Sequence, residues 1–418
     1  MIKTIKNLFS SYDSTQKTFI LSILGYVFFI SCDYGVIRPA STSIFLSIYS
    51  SKFFPYCWIL SVPFNLLIVY LYNRFLPVIG YLKTFVLFVC SIIFVNTTTA
   101  LFVDKVPELM FFQFIFKDLY ILLAFKQIWS MIHSTINTQK AKFLYGLMFG
   151  IGGFGSVFGG IISGFFAVQI KSQNLFFLSA PFYLMILFFY YRALKNSKAN
   201  PHFKEEVAPE DISTKGFSLF RKSPYLVSIL LIVIAMQITT AFIDFQFNSY
   251  LEKAIPNVDL RTAFTGKLTS VINLTSTCFQ FFGGFLLINI LGFKRSHLTV
   301  PIFLAFNSLL FLFYPSFGMA TYTFASVKSL DYSFFGIIRE MLYIPLKTDE
   351  KYRAKAIIDV FAYRSAKAFA SLFLLFIYNV VQLNTILLVS IMSMAIYVFW
   401  VKVVSTMFKK HHKILQTE

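Results

Sequence analysis

Ionisable side chains occur inside segments of this chain that are otherwise apolar enough to cross a lipid bilayer. The densest group lies in the C-terminal third, where Arg339, Glu340, Asp359, Arg364 and Lys367 interrupt apolar sequence. A charged group within a membrane is costly, and it usually lines a pathway or a polar cavity. The group therefore predicts a polar route built from two charge-bearing helices that a short basic loop joins.

The spacing of these charges allows two interpretations. Lys328 and Asp331 are three residues apart, so they can pair on one face of a helix. Arg339 lies eleven residues beyond Lys328, which returns it to nearly the same face, whereas Glu340 points about 100° away. The charges either neutralise one another and lock helices together, or they bind a substrate or form a gate. Their depth in apolar sequence favours the second interpretation.

Polar side chains also form stripes on two further segments. Gln237, Thr240 and Asp244 follow one another at spacings of three and four residues, and Asn273 and Gln280 are seven residues apart. Each set is expected to face the interior of a helix bundle. Interhelical hydrogen bonds, worth about 0.6–2 kcal/mol each, would explain the stripes structurally. Cavity lining is the interpretation that we favour.

The segments that carry these residues are predicted to be transmembrane helices. Hydrophobic residues make up 57% of the 418 residues and charged residues 13%, whereas a water-soluble chain carries about 25% charged residues. Apolar runs of about 20 residues are long enough to span a bilayer, and their backbone groups must then pair within helices. The sequence predicts an all-α integral membrane protein with twelve spans. The predicted spans cover residues 18–38, 56–76, 83–103, 109–133, 144–168, 175–193, 224–247, 263–291, 298–315, 318–345, 356–382 and 384–407.

The net charge of +19 could indicate a nucleic-acid partner, but the positions of the cations argue against one. With the N-terminus in the cytoplasm, the outer loops would hold only Lys52, Lys105, Lys171, Lys253 and Arg261. Most other loop lysines and arginines would then face the cytoplasm, as the positive-inside rule requires. We therefore expect both termini in the cytoplasm, a lipid bilayer as the surroundings, and no nucleic-acid partner.

A polar segment at residues 192–222 separates six apolar runs from the six that follow. Its prolines and charges are typical of a linker. Secondary transporters are often built from two such halves, which hold substrate between them near the bilayer midplane. The predicted organisation is an N-terminal six-helix half (1–191), a cytoplasmic linker (192–222), a C-terminal six-helix half (223–408) and a cytoplasmic tail (409–418).

Weak internal repeats support this division. Asp33 near the outer end of the first span has a counterpart in Asp244 on the seventh. Asp118, which follows a lysine on the fourth span, has a counterpart in Glu340, which follows an arginine on the tenth. The pattern predicts a duplicated six-plus-six architecture.

Glycines are concentrated between residues 146 and 164, where Gly150, Gly152 and Gly155 give a formal G-x-G-x-x-G. A dinucleotide site needs a preceding strand, whereas here the glycine run is itself a predicted span. Small residues at four-residue spacing favour close helix packing instead. The predicted packing pairs are Gly146/Gly150, Gly155/Gly159 and Gly160/Gly164.

The sequence offers no motif for catalysis or for metal binding. The five histidines form no metal-ligand spacing, and no helical H-E-x-x-H or G-x-S-x-G is present. We expect no enzyme activity, no catalytic residue, no cofactor and no metal.

The segment Phe335–Leu346, followed by Lys355–Val360, resembles the ATP/ADP translocases of plastids and obligate intracellular bacteria, of chlamydial and rickettsial type. The resemblance implies a carrier with twelve spans that is related to the major facilitators. The charged residues of the family's K-E-M-x-Y-I-P-L motif and of its flanking lysines fall on Arg339, Glu340, Lys328 and Lys367.

The first span departs from the family pattern. Where the translocases carry L-R-x-x-K-D, this chain keeps Arg38 but has Ser41 and Thr42 in place of the lysine and the aspartate. Asp118 stands where the family prefers glutamate. The departure removes a cation that could contact phosphate, so the substrate stays open.

The resemblance implies an alternating-access carrier that exchanges ATP for ADP or a related nucleotide. The alternatives are a divergent carrier of another anionic metabolite, with or without coupling to protons, and a membrane scaffold that transports nothing. We expect a monomer in a bacterial inner membrane. The residues expected to bind substrate or form gates are Arg38, Asp118, Lys126, Asp244, Lys328, Arg339, Glu340, Arg364 and Lys367, and those expected to line the cavity are Asp33, Gln237, Thr240, Asn273 and Gln280.

Overall fold

The computed structural model describes residues 13–136, 138–197, 219–221, 223–346, 354–355, 357–381 and 385–410. These residues are almost entirely helical and contain no strand, which confirms the predicted all-α fold. A helix overlaps each predicted span within the described residues. Most of the predicted linker, at 198–218 and 222, and the predicted tail from 411 lie outside them. Eight described segments are long and apolar enough to cross a membrane: Ser14–Tyr49, Ser51–Ile79, Tyr81–Phe102, Leu144–Ile170, Ser172–Lys195, Pro224–Ala254, Phe293–Phe313 and Thr385–Lys410.

The chain divides into two compact units. The first comprises the described residues within Met1–Ile48, Phe64–Lys204 and Asn257–Thr277. Its helices are α1 (Ser14–Tyr49), the later part of α2 (Phe54–Ile79), α3 (Tyr81–Phe102), α4 (Glu108–Thr135), α5 (Thr138–Ile170), a 3-10 helix (Ser172–Leu178), α6 (Ser179–Lys195) and α8 (Val258–Cys278) up to Thr277.

The second unit comprises the described residues within Tyr49–Pro63, Glu205–Pro256 and Cys278–Glu418. Four π-helical turns interrupt its helices, at Phe279–Gly283, Asp331–Phe335, Ile357–Ala362 and Ile377–Val381. Its helices are a 3-10 helix (Ser51–Phe53), the start of α2, α7 (Pro224–Ala254), α9 (Gly284–Leu291), α10 (Phe293–Phe313), α11 (Phe317–Leu330), α12 (Gly336–Leu342), α13 (Tyr363–Phe376) and α14 (Thr385–Lys410).

The two units exchange segments relative to the predicted halves of the sequence. Residues 49–63 of the first half belong to the second unit, and residues 257–277 of the second half belong to the first unit. Each unit is therefore assembled from both halves of the chain.

Local sequence explains where several helices begin. Ser223 accepts a hydrogen bond from the Leu226 amide ahead of α7, and Ser316 accepts one from the Met319 amide ahead of α11. Such serines satisfy amides that have no partner within the helix. Gly80, with a φ of +86°, separates α2 from α3, because only glycine adopts this conformation without strain.

Carboxylates cap the two 3-10 helices, which each follow a turn with positive φ at Ser50 or Lys171. The first amide of the Ser51–Phe53 helix donates to Glu252 Oε2 at 2.9 Å. The first amide of the Ser172–Leu178 helix donates to Asp259 Oδ1 at 2.7 Å. An anion at a helix N-terminus is favourable because the free amides carry partial positive charge. Each cap joins the two halves of the sequence within one unit.

Glycines of α5 pack directly against the backbone of two neighbours in the first unit. A Cβ on Gly159 would collide with the Cys32 carbonyl of α1, and one on Gly160 would approach the Gly266 carbonyl of α8 to 2.8 Å. These contacts confirm the predicted packing for the pairs Gly155/Gly159 and Gly160/Gly164. A Cβ on Gly146, by contrast, would have no atom within 4 Å, so the prediction for that glycine is wrong.

Each unit has its own apolar core. In the first, the Phe85 and Tyr190 rings stack with centroids 3.8 Å apart. In the second, the edge of Trp400 meets the Phe335 ring at 5.4 Å. Many large apolar side chains outside these cores are exposed, as expected for helices that face lipid.

Candidate functional site

A buried ion pair lies in the second unit, between α7 and α11. Lys328 Nζ lies 2.8 Å from Asp244 Oδ1 and 2.9 Å from Oδ2, and the two side chains are only 8% and 10% exposed. Two charges that are removed from water this far require each other, because an unpaired one would be strongly destabilising. The structure thus joins two predicted site residues that are 84 positions apart in sequence.

The rest of the predicted α7 stripe surrounds this pair. Gln237, Thr240 and Asp244 are all buried, as are most of their neighbours on α7, and their cavity-lining role stays a prediction. Asp331, at the start of a π-helical turn, lies beside Gln237 and near Lys328. The site therefore holds two carboxylates around one lysine.

A second ionic cluster lies one helix further along. Glu340 Oε2 is 2.6 Å from Lys355 Nζ, and Glu340 Oε1 is 3.8 Å from Arg339 Nη2. These side chains are partly exposed. A π-helical turn lies between Lys328 and Arg339, and the Asp331 carboxyl at its start is near both cations. That these two cations share a face stays a prediction.

Lys367 lies on α13. Its ammonium group sits over the Trp58 ring, 4.7 Å from the centroid, and Trp58 in turn stacks on Phe54. A cation over an indole is attracted by the negative face of the ring. The side chain of Arg364, also predicted for this site, lies outside the described part of the structure.

In the first unit, two predicted residues, Asp118 and Arg38, lie next to Tyr34. The Tyr34 hydroxyl donates to Asp118 Oδ1 at 2.9 Å, and the Arg38 guanidinium lies 5.7 Å from the Tyr34 ring centroid. Lys117 Nζ is 3.6 Å from Asp118 Oδ2. The tyrosine thus connects Asp118 of α4 with Arg38 of α1.

The remaining predicted residues are dispersed. Lys126 Nζ donates to Asn73 Oδ1 at 2.6 Å, within the first unit. Asn273 donates to the Thr269 carbonyl of its own helix, also in the first unit, whereas Gln280 donates to the Tyr332 carbonyl in the second. That Asn273 and Gln280 line a cavity stays a prediction.

A chain of buried hydrogen bonds runs through the first unit and ends at Asp33. Ser41 Oγ donates to Gln113 Oε1 at 2.7 Å, and Gln113 Nε2 donates to Asn96 Oδ1 at 3.1 Å. Asn96 Nδ2 donates to Ser179 Oγ at 2.8 Å, and Ser179 Oγ donates to Asp33 Oδ1 at 2.7 Å. All five side chains are at most 1% exposed. The chain links α1, α3, α4 and α6, and every bond donates in the direction of the carboxylate.

Sequence reasoning missed three members of this chain, namely Asn96, Gln113 and Ser179. The two amides interrupt apolar spans as clearly as a charge does, so polar side chains in mid-span were the available signal. Ser41 was noted for the lysine that it replaces. In the structure it is buried and engaged with an amide, not aimed at an anion.

Asp33 differs from its counterpart Asp244 in its partners. Its other oxygen, Oδ2, accepts from the Tyr120 hydroxyl at 3.0 Å, so both described donors are neutral hydroxyls. Burying an ionised carboxylate costs several kcal/mol, and each hydrogen bond to a charged group recovers about 1.5–3 kcal/mol.

The cations of the second unit suit the binding of an anion. The second unit offers Lys328, Arg339, Lys355 and Lys367, of which arginine can bind phosphate oxygens in a bidentate manner. Among the described residues, no group of three or more histidine, cysteine, aspartate or glutamate side chains could hold a metal ion.

Comparison with known proteins points to one family. Residues 316–411 match the model of the TLC ATP/ADP transporter family. The chain is 26% identical over 214 residues to ADP,ATP carrier protein 1 of Chlamydia pneumoniae, a match that covers 44% of this chain and 42% of the relative. It is 28% identical over 178 residues to ADP,ATP carrier protein 1 of Chlamydia trachomatis, covering 38% and 34%. The matched region thus spans less than half of either relative.

Solved structures show the same fold. The nucleoside transporter NupG, solved as a variant, superposes with a TM-score of 0.64 at 11% identity, over 93% of this chain and all of that one. The POT family transporter PepTSo gives a TM-score of 0.65 at 10% identity, over 98% and 99%. The fold is major-facilitator-like, and the chain is a multi-pass integral membrane protein. The resemblance predicted from the sequence is confirmed: residues 316–411 match the TLC ATP/ADP transporter model, and the chain is similar, at 26–28% identity, to the chlamydial ADP,ATP carriers.

Proposed function

We propose that the protein is a secondary transporter that works by alternating access and exchanges nucleotides, ATP against ADP or a related nucleotide. One observation carries the proposal. The segment that matches the TLC ATP/ADP transporter model, residues 316–411, also holds Lys328, Arg339, Glu340 and Lys367. The part of the chain most similar to the family is thus the part with the ionic clusters.

The contacts suggest how an anion would be bound and released. Lys328 and Lys355 each contact a carboxylate, and a phosphate group can take the place of that carboxylate. When one anionic partner replaces another, the buried cation stays paired, so the free-energy cost of the exchange is small. Glu340 and Asp244 would then serve as gates that hold the cations when substrate is absent.

The remaining predictions belong to the same proposal. The carrier is a monomer in a bacterial inner membrane, with both termini in the cytoplasm. Two six-helix halves, residues 1–191 and 223–408, would move around the linker at 192–222 and alternate access to the substrate.

Liposomes that contain the purified protein test nucleotide exchange. We expect labelled ATP to enter vesicles loaded with ADP and not vesicles without nucleotide. Lys367→Ala should reduce this uptake at least tenfold, because an ammonium group on phosphate contributes more than 1.4 kcal/mol. Lys409→Ala is the matched control, since Lys409 is an exposed lysine at the end of α14. If no nucleotide is exchanged under any loading condition, the proposal is wrong.

The placement of Ser41 supports a second candidate, a carrier of another anionic metabolite. The family's lysine at this position is absent, and the serine is buried in the hydrogen-bond chain. One cation fewer favours a substrate with less negative charge than ATP. Uptake of a labelled mono- or dianion that excess ATP does not inhibit would select this candidate.

A further inference from the structure

We propose that Asp33 is a proton-binding site and that the proton bound there is a co-substrate of transport. The inference deepens the proposed function and rests on it for the meaning of the bound proton. The reaction is the addition of one proton to a carboxylate oxygen, which forms one O–H bond and removes one negative charge. Neither an electron nor another reactant is needed.

The surroundings of Asp33 lack the cation that its counterpart has. Asp33 is fully buried, and no described lysine or arginine pairs with it. Asp244, in the equivalent place on α7, contacts the Lys328 ammonium through both oxygens. The two carboxylates thus differ in their partners: an ammonium group contacts Asp244, whereas hydroxyls contact Asp33.

The groups around Asp33 come from every neighbouring helix. The titratable neighbours are Tyr120 on α4, Tyr183 on α6 and Cys32 on α1 itself, all of them neutral near pH 7 in water. The neighbour from α3 is the Asn96 amide, through Ser179, and α5 approaches with Gly159 next to Cys32. The charged residues closest in sequence to Tyr120 are Asp118 and Lys117. Asp118 accepts from the Tyr34 hydroxyl, and Lys117 contacts Asp118 and the Phe114 carbonyl.

The hydrogen-bond chain determines when the proton can enter. Amides do not pass on a proton as hydroxyls do, so Gln113 and Asn96 prevent a relay from Ser41 to Asp33. The proton must therefore arrive when helix movement opens the surroundings of Asp33. The donated bonds favour the ionised carboxylate, and burial favours the neutral one. Loss of one donor during movement would shift this balance towards the protonated form.

The Tyr120 hydroxyl suits both states. It donates to the ionised carboxylate in the present geometry, and a hydroxyl can rotate to accept from the protonated one. Protonation therefore needs no new residue next to Asp33.

Infrared spectroscopy of the full-length protein in lipid nanodiscs, titrated with acid and base alone, tests proton binding without any substrate. We expect a carboxylic-acid carbonyl band that titrates near neutral pH, is lost in Asp33→Asn and persists in Asp244→Asn. Tyr120→Phe keeps the ring but removes one donor to the ionised form, so its titration midpoint should move up by about 1–2 pH units. A band that survives in Asp33→Asn, or its absence from the unchanged protein between pH 5 and pH 9, would overturn the proposal.

A flux measurement in liposomes separates this proposal from the proposed function. We expect an imposed pH gradient to change labelled-ATP uptake several-fold in the unchanged protein, and the ratio with and without gradient to fall to about 1 in Asp33→Asn. If uptake by the unchanged protein is the same with and without the pH gradient, the co-substrate role is contradicted and the proposal of nucleotide exchange still stands. A titrating Asp33 band in a protein that exchanges no nucleotide contradicts nucleotide exchange and keeps the proton site.

Discussion

The buried pair of Lys328 and Asp244 gives the sharpest quantitative prediction. Removal of one partner from a buried ion pair typically costs about 3–5 kcal/mol, because a charge stays behind unpaired. The full range applies here since both side chains are at least 90% buried. Lys328→Met should lower the unfolding free energy by about 5 kcal/mol, because it leaves Asp244 and the nearby Asp331 without their lysine. Asp244→Leu should cost nearer 3 kcal/mol, because Asp331 can still neutralise the ammonium group.

The double variant, Lys328→Met with Asp244→Leu, provides the control. Replacement of a buried pair by apolar residues of similar volume is often neutral, so its unfolding free energy should lie within about 2 kcal/mol of the unchanged protein. Reversible unfolding in mixed lipid–detergent micelles, followed by tryptophan fluorescence, measures all four proteins. If the losses of unfolding free energy in the two single variants add up to the loss in the double variant, the two side chains do not interact and the reasoning is refuted.

Three further predictions concern packing and gating. Gly159→Leu should strongly reduce the yield of folded protein, because a leucine side chain has no space against the α1 backbone. Gly146→Leu is the control and should not reduce it, since the space around Gly146 is open. Size-exclusion chromatography in detergent compares the two variants, and equal yields would contradict the packing account. Glu340→Gln should change the unfolding free energy by less than about 1 kcal/mol, since the contact of Glu340 with Lys355 is partly exposed. A several-fold fall in nucleotide exchange without loss of stability would support a gating role for Glu340, and unchanged exchange would exclude that role. Ser41→Ala should lower the unfolding free energy by about 1–3 kcal/mol, because the buried Gln113 Oε1 loses its hydrogen-bond donor. An unchanged melting temperature would show that water replaces the serine hydroxyl as donor.

The sequence predicts the helices of this fold well and their ends poorly. Apolar runs identify the spans because backbone groups in lipid have no alternative to helical pairing. Hydropathy measures only the apolar middle of each helix, however. The first helix covers Ser14–Tyr49 where residues 18–38 were predicted, because its polar ends continue the same backbone pairing.

The candidate site shows a different limit. Charge and depth in the membrane identified Asp244, Lys328 and Glu340 as residues with partners. The choice of partner depends on contacts between helices, so the sequence suggested Asp331 for Lys328 whereas the structure also brings Asp244 within 2.9 Å. The buried amides of Asn96 and Gln113 were not predicted, because an uncharged side chain costs less within a membrane than a charge and is a weaker signal in the sequence. Their hydrogen bonds nevertheless help to link α1, α3, α4 and α6.

The four π-helical turns have a consequence for how the two halves of this chain can be aligned. All four described turns lie in the second unit, and each adds one residue to its helix. A comparison of residues 1–191 with residues 223–408 must therefore open a one-residue gap at each turn. Without those gaps the register drifts by one residue per turn, and equivalent side chains are assigned to different helix faces. A search for internal repeats that permits no gaps is therefore a weak test of the predicted duplication.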